Sequence, residues 1–148
     1  MSDLTKLRDA ILTGDADAAA AETRGAVAAG ADPAAIVEQG VVPAMNEVGR
    51  LFEAGEYFVP ELLIAARATK GVFEILRPLL AGRGVASAGR VVLGTVQGDL
   101  HDIGKNLVGS LLEGGGFEVV DLGVNVAPAR FVEAAREKDA RLVGLSAL

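Results

Sequence analysis

The chain has 148 residues, 51% of them hydrophobic and 23% charged, with a formal net charge of −6, a balance that can fill a core and argues against a disordered polymer. Residues 1–80 hold 7 Lys/Arg against 12 Asp/Glu and residues 81–148 hold 7 against 8, so there is no basic face to neutralise phosphates and nucleic acid is not expected as a partner. Cysteine is absent, which removes disulfides, thiolate metal sites and cysteine nucleophiles together.

The N-terminus, Met1-Ser2-Asp3-Leu4-Thr5-Lys6-Leu7-Arg8-Asp9, carries charges where a signal peptide needs an apolar run. No stretch reaches the roughly 18 apolar residues of a membrane span. A cytoplasmic protein without a membrane partner is therefore expected. Leu4, Leu7, Ile11 and Leu12 recur at helical spacing, and Gly14 stops the run. Asp15 can cap a second helix that runs to about Ala29 and ends at Gly30. Asp32-Pro33 starts a third, an N-cap candidate followed by proline at the first helical position. That helix carries Ile36, Val37, Met45, Val48, Leu51 and Phe52, is expected to kink at Pro43, and should end near Gly55. A fourth helix, from about Pro60, takes in Leu62, Leu63, Ala66, Val72, Phe73 and Leu76. Four helices with short connections predict an antiparallel bundle over residues 1–80.

Residues 81–89 are small, glycine-rich and aperiodic, and read as an interdomain linker. After them the period changes. Arg90 to Val96 is a short β-branched run, as in a strand buried on both faces. A polar loop to Ile103, a helix from Gly104 to about Gly115, a strand from Phe117 to Leu122, a helix from Pro128 to Lys138 and a strand from Arg141 to Leu148 follow, so that the chain stops in mid-strand. Strand–helix–strand–helix–strand at these lengths predicts a parallel α/β sheet over residues 90–148.

Ligands of such sheets bind at the carboxyl ends of the strands. The loop at the end of the first strand reads Gly98-Asp99-Leu100-His101-Asp102-Ile103-Gly104-Lys105-Asn106 and holds the one histidine of the chain, between two acids. A neutral imidazole is a good transition-metal ligand, cobalt included. Ligation through one ring nitrogen leaves the other to donate to a carboxylate, which fixes the tautomer and raises the ligand's basicity. Asp99 can supply that carboxylate if the loop turns back. Asp102 is the rival, although it can equally cap the following helix. A bare ion would want three or four ligands. One histidine suits instead a metal that brings its own equatorial ligands, as in a macrocycle. The competing reading is a solvated loop with a helix cap.

Asp99-Leu100-His101-Asp102-Ile103-Gly104 resembles the Asp-x-His-x-x-Gly motif of cobalamin-binding domains that hold the cofactor base-off and histidine-on. Ser146-Ala147-Leu148, with 41 residues between Gly104 and Ser146, resembles the Ser-x-Leu element of the same domains. Val42-Pro43-Ala44-Met45-Asn46-Glu47-Val48-Gly49 and Phe52-Glu53-Ala54-Gly55-Glu56-Tyr57-Phe58-Val59-Pro60-Glu61-Leu62 are similar to the helical cap of methyltransferase corrinoid proteins. The resemblance covers nearly the whole chain, in order. It implies an all-α four-helix-bundle cap followed by a flavodoxin-like (Rossmann-like) domain. It further implies the cofactor cobalamin, cycling between methylcobalamin and cob(I)alamin, and a role in one-carbon metabolism as a methyl carrier. The implied partners are a substrate-specific methyltransferase, an acceptor methyltransferase and a reductive activase.

By the same resemblance, His101 replaces the cofactor's own base beneath cobalt, coming on and off with oxidation state. Asp99 bonds the far ring nitrogen. Ser146 belongs to that relay or lines the pocket of the nucleotide tail, and Gly104 lets the backbone approach the tail. Asp102, Ile103 and Leu148 complete the implied cofactor contacts. Val59, Leu62 and Leu63 could shield the methyl face, though ordinary core positions are the expectation for each. The linker at 81–89 would be the hinge that lets the cap move aside.

The family domain continues past Ser-x-Leu with two further strands and a Gly-Gly pair beside the tail, in sheet order 2-1-3-4-5. The expectation is thus a fragment with an incomplete tail pocket, or a homo-oligomer formed through the exposed apolar edge at 142–148. Four other readings are weighed against the carrier. A cobalamin-dependent regulator or sensor would need a basic DNA-reading module. A mutase domain does not usually carry this cap immediately upstream, and a receiver domain would want an acidic pair at the end of the first strand. The last is a truncated fragment that no longer binds cobalamin.

Overall fold

The computed structural model describes residues 4–80 and 88–148. These fall into two compact units, one on each side of residues 81–87. The expected linker and hinge lie mostly outside the described residues.

The first unit is helical, with α1 (Thr5–Thr13), α2 (Ala16–Ala28), α3 (Pro33–Ile36), a π-helical turn (Val37–Val41), α4 (Val42–Glu53) and α5 (Val59–Leu80). Leu7, Ala10 and Ile11 of α1 are buried at helical spacing. Gly14 then ends the helix in the left-handed region at φ 72°, where a Cβ would also stand 2.4 Å from Ile64 Cγ1. Conformation and space thus both require glycine there. The Asp15 carboxylate accepts from the Ala18 amide at 2.9 Å and caps α2. Asp32 stands at the N-cap of α3 without a side-chain cap bond.

The third predicted helix is continuous from Pro33 to Glu53, and its irregularity is a widened turn ahead of Pro43. Proline has no N–H to offer the carbonyl four residues back. That carbonyl, of Gln39, accepts instead from Arg8 Nε at 2.8 Å. The widened turn also brings Gly40 close to α1, where a Cβ would meet Leu7 at 3.0 Å.

Leu7, Ile11, Ile36, Val41, Ala44, Val72 and Leu76 form the core of this unit, and each large apolar side chain buried contributes about 1.5–3 kcal/mol. Val59 departs from its expected core position. It is exposed at the start of α5 beside exposed Phe58, because the turn before α5 is held by Phe58 N donating to the Glu61 carboxylate at 2.9 Å rather than by packing. Leu62 and Leu63 are half-buried.

The second unit contains β1 (Arg90–Thr95), α6 (Ile103–Gly114), β2 (Glu118–Asp121), α7 (Pro128–Glu137) and β3 (Leu142–Ser146). The sheet is parallel, in order β2-β1-β3, with Val92 opposite Val120 and Val143. The crossover through α6 leads from β1 to β2 and that through α7 leads back past β1 to β3, so right-handed connections put α6 and α7 on opposite faces. Their contacts agree, since Leu93 faces Gly109 of α6 and Gly94 faces the Phe131 ring of α7. β1 is buried beyond Arg90. β3 ends at Ser146, short of the predicted mid-strand stop, because Leu148 turns to bond a side chain of the loop after β1. Leu142, Val143 and Leu145 on this edge are exposed. Among the described residues, no helix is long and apolar enough to cross a membrane.

Candidate functional site

The loop between β1 and α6 is built outward from a tight turn. Asp99 N donates to Val96 O at 3.1 Å, with Gly98 at φ 87°, the conformation a type II turn requires at its third residue. The turn sends the chain back across the carboxyl end of the sheet. The side chain of Asp99 therefore points at the segment that follows it.

The Asp99 carboxylate collects three donors. Oδ1 accepts from His101 Nδ1 at 2.6 Å and from the His101 amide at 2.9 Å, while Oδ2 accepts from the Leu148 amide at 2.8 Å. The His101 amide foremost, then its ring and, more weakly, the Leu148 amide outweigh burial and hold the Asp99 carboxyl below its usual range. An ionised carboxylate can only accept, so the proton of the imidazole sits on Nδ1. The other nitrogen, Nε2, has no hydrogen-bond partner among the described residues. The His101 side chain is 69% exposed, against 12% for Asp99. The acid is thus sheltered and the open nitrogen faces outward.

The expected residues separate into three groups. Asp99, His101 and the Leu148 amide meet directly. The carboxylate of Asp102, the rival acid, bonds neither His101 nor the helix start. It stands at the N-cap of α6 without a side-chain cap bond, since the turn at Gly98 has already aimed Asp99 at the ring. Ile103 begins α6 one residue before the predicted Gly104, is exposed, and lies beside a glycine whose absent Cβ would meet nothing. Ser146 reaches the site through the sheet. It pairs with Thr95 and its carbonyl accepts from Val96 N at 3.0 Å, but its hydroxyl bonds neither Asp99 nor His101.

Several participants escaped the sequence reading. Thr95, fully buried at the end of β1, donates its hydroxyl to the His101 carbonyl at 2.8 Å. Lys105 is the single buried charged residue among those described, and its ammonium reaches Asp121 Oδ2 at 2.5 Å and Asn106 Oδ1 at 2.8 Å. Burial pulls the Asp121 carboxyl upward, but Lys105 and the Gly123 amide outweigh it and leave it lowered. Asn125 receives the Gly98 amide on its side chain and donates its own amide to the Asp99 carbonyl. A polar residue closing an apolar strand was the one available signal, for Thr95.

Known proteins resemble this chain along nearly its whole length. Two family patterns, each described as a B12 binding domain, match residues 4–77 and 89–148. Trimethylamine corrinoid protein 1 of Methanosarcina acetivorans is 42% identical over 147 residues, which span 98% of this chain and 68% of that protein. Dimethylamine corrinoid protein 1 of the same organism is 43% identical over 146 residues, with the same coverage. Among solved structures, the methanol:cobalamin methyltransferase complex MtaBC from Methanosarcina barkeri aligns with TM-score 0.85 and 30% identity, covering 98% of this chain and 56% of that one. A cobalamin-binding protein from Desulfitobacterium hafniense aligns with TM-score 0.75 and 32% identity, covering 100% and 70%.

Proposed function

Because this chain belongs to the B12-binding corrinoid proteins of methyltransferase systems, we propose that it carries a methyl group between two enzymes, with His101 as the lower ligand of its cobalamin. The observation that carries this reading is the imidazole itself, with Nδ1 engaged by Asp99 and Nε2 open on an exposed ring. The donor set fits such a group and no bare ion. No cluster of three or more His, Cys, Asp or Glu able to hold a metal occurs among the described residues. Exposed Leu100 and Ile103 flank the imidazole and suit an apolar macrocycle edge.

When bound, cobalamin supplies a cobalt centre able to take up and release a methyl group. The chain's own residues present one nitrogen lone pair and set its strength. Asp99 fixes the tautomer and makes Nε2 the better donor. The Leu148 and His101 amides keep the carboxylate ionised, and Thr95 holds the histidine backbone over the sheet end. Gly104, with open space where a Cβ would project, leaves room for the displaced tail. Ser146, Asp102 and the Leu148 side chain are assigned to the walls around it.

The domains of this reading are a helical cap over 1–80, a linker over 81–89 and a cobalamin-binding domain over 90–148. Exposed Phe58 and Val59 at the start of α5 support a cap that shields an apolar face of the cofactor. The partners are a substrate-specific methyltransferase, an acceptor methyltransferase and a reductive activase. Relatives named for trimethylamine and dimethylamine, and a structure named for methanol, support a small methylated donor chosen by the partner.

The test is to load the chain with cobalamin, reduce it, and add the methylamine- or methanol-specific methyltransferase with its substrate. Methyl transfer to the corrin, lost without the partner, is expected. A corrin that stays unmethylated with every such enzyme while remaining bound would contradict the carrier role.

A further inference from the structure

Asp99 is useful to His101 only while its carboxylate stays aimed at the ring, and the loop that holds it belongs to no helix or strand. Something must stop the Gly98–Asp99 unit from pivoting. One residue grips it at both ends. Asn125 Oδ1 accepts from the Gly98 amide at 2.8 Å, and the Asn125 amide donates to the Asp99 carbonyl at 3.0 Å. A single bond would leave an axis of rotation, whereas two, on opposite ends of the dipeptide, remove it.

The platform from which Asn125 acts is itself fixed. Its neighbour Val126 bridges to Val96 and donates to the Thr95 carbonyl at 2.9 Å. Gly123 accepts from the Thr95 amide at 2.9 Å and donates to Asp121 Oδ1 at 2.8 Å, and Asp121 is paired in turn with buried Lys105. Asn125 sits at φ 53°, a left-handed conformation that Asn tolerates better than most residues. Glycine would adopt it freely but could not reach Gly98.

We propose that Asn125 is a positioning residue that holds the Gly98–Asp99 unit so that Asp99 sets the tautomer of His101. The proposal rests on the ligand role of His101 and adds a residue that bonds the Gly98–Asp99 unit rather than the ring. Asn125 is exposed, so its side chain adds little to the core, and its loss should disturb the imidazole more than the fold.

The chain contains a single histidine, so the imaging of one imidazole by long-range ¹H–¹⁵N correlation is unambiguous, and it needs no cofactor. In its neutral form the ring should carry its proton on Nδ1. Asn125→Gly keeps the backbone conformation and the backbone N–H bond to Asp99, and removes the side-chain acceptor of the Gly98 amide. It should move the population toward the Nε2–H tautomer while the amide spectrum of β1 and α6 stays in place. Asn125→Asp retains an acceptor for Gly98 and should restore the Nδ1–H pattern. In the wild-type chain the Gly98 amide should exchange slowly with solvent. An imidazole pattern unchanged in Asn125→Gly would overturn the proposal, and so would a Gly98 amide that exchanges as a free loop amide does. Neither result bears on the ligand role, which fails separately if cobalamin bound to wild type and to His101→Ala gives the same spectrum.

Discussion

The two units bury different things. Among the described residues, the helical unit buries twelve apolar residues in one cluster, Leu7, Ile11, Ile36, Val72 and Leu76 among them, and its buried polar residues are two threonines bonded within or between helices. The described part of the α/β unit gathers four buried residues in its cluster, yet it encloses Lys105 and Thr95 beside the carboxyl end of its sheet. Thr95 holds the loop after β1, and Lys105 ties α6 to the end of β2. Stability in the first unit comes from apolar area, and order in the second comes from a hydrogen-bonded scaffold around one imidazole.

The contrast can be broken most forcefully in the helical core. Leu76→Ala should cost about 2–5 kcal/mol, the range for leucine deleted from a close-packed interior. Urea unfolding followed by helical signal should show the loss as a lower midpoint at unchanged slope. A next, smaller effect is expected at the scaffold. Lys105→Met keeps the stem and removes the charge, and should cost roughly 1–3 kcal/mol. That is less than the loss of one partner from a fully buried pair, because Asp121 remains 44% exposed and can be rehydrated.

Acid should weaken the same pair. The Asp121 carboxyl is held low in the folded chain, so its contribution is complete above the unfolded carboxylate pKa of about 4 and is lost as pH falls through the lowered folded value. The wild-type chain should therefore lose stability on acidification more steeply than Asp121→Asn, as read by midpoints measured from about pH 6 downward. The smallest effect belongs to the rival acid. Asp102→Ala should shift stability by no more than about 0.5 kcal/mol and leave the imidazole tautomer alone, whereas Asp99→Ala should release it.

The order and type of the elements were legible in the chain because the hydrophobic period changes from helical to strand-like across the glycine-rich segment. Proline at position 43 announced an irregular helix, but not a widened turn. Its form depends on Arg8, thirty-one residues from the Gln39 carbonyl it satisfies, and no local pattern encodes that distance. At the site, the histidine and its two acids stood out as residues. What distinguished Asp99 from Asp102 was a backbone turn at Gly98. Asn125 and Asp121 became neighbours of the loop only when parallel pairing brought β2 and its following loop against β1. Val59 shows the converse, an apolar residue expected in the core that the tertiary fold leaves exposed.

The central claim, that His101 ligates the cobalt, is tested most directly by absorbance. The chain and His101→Ala are each mixed with hydroxocobalamin and desalted. The account predicts corrin retained by the wild-type chain with a spectrum that the substitution changes. Corrin retained by both with identical spectra would contradict it.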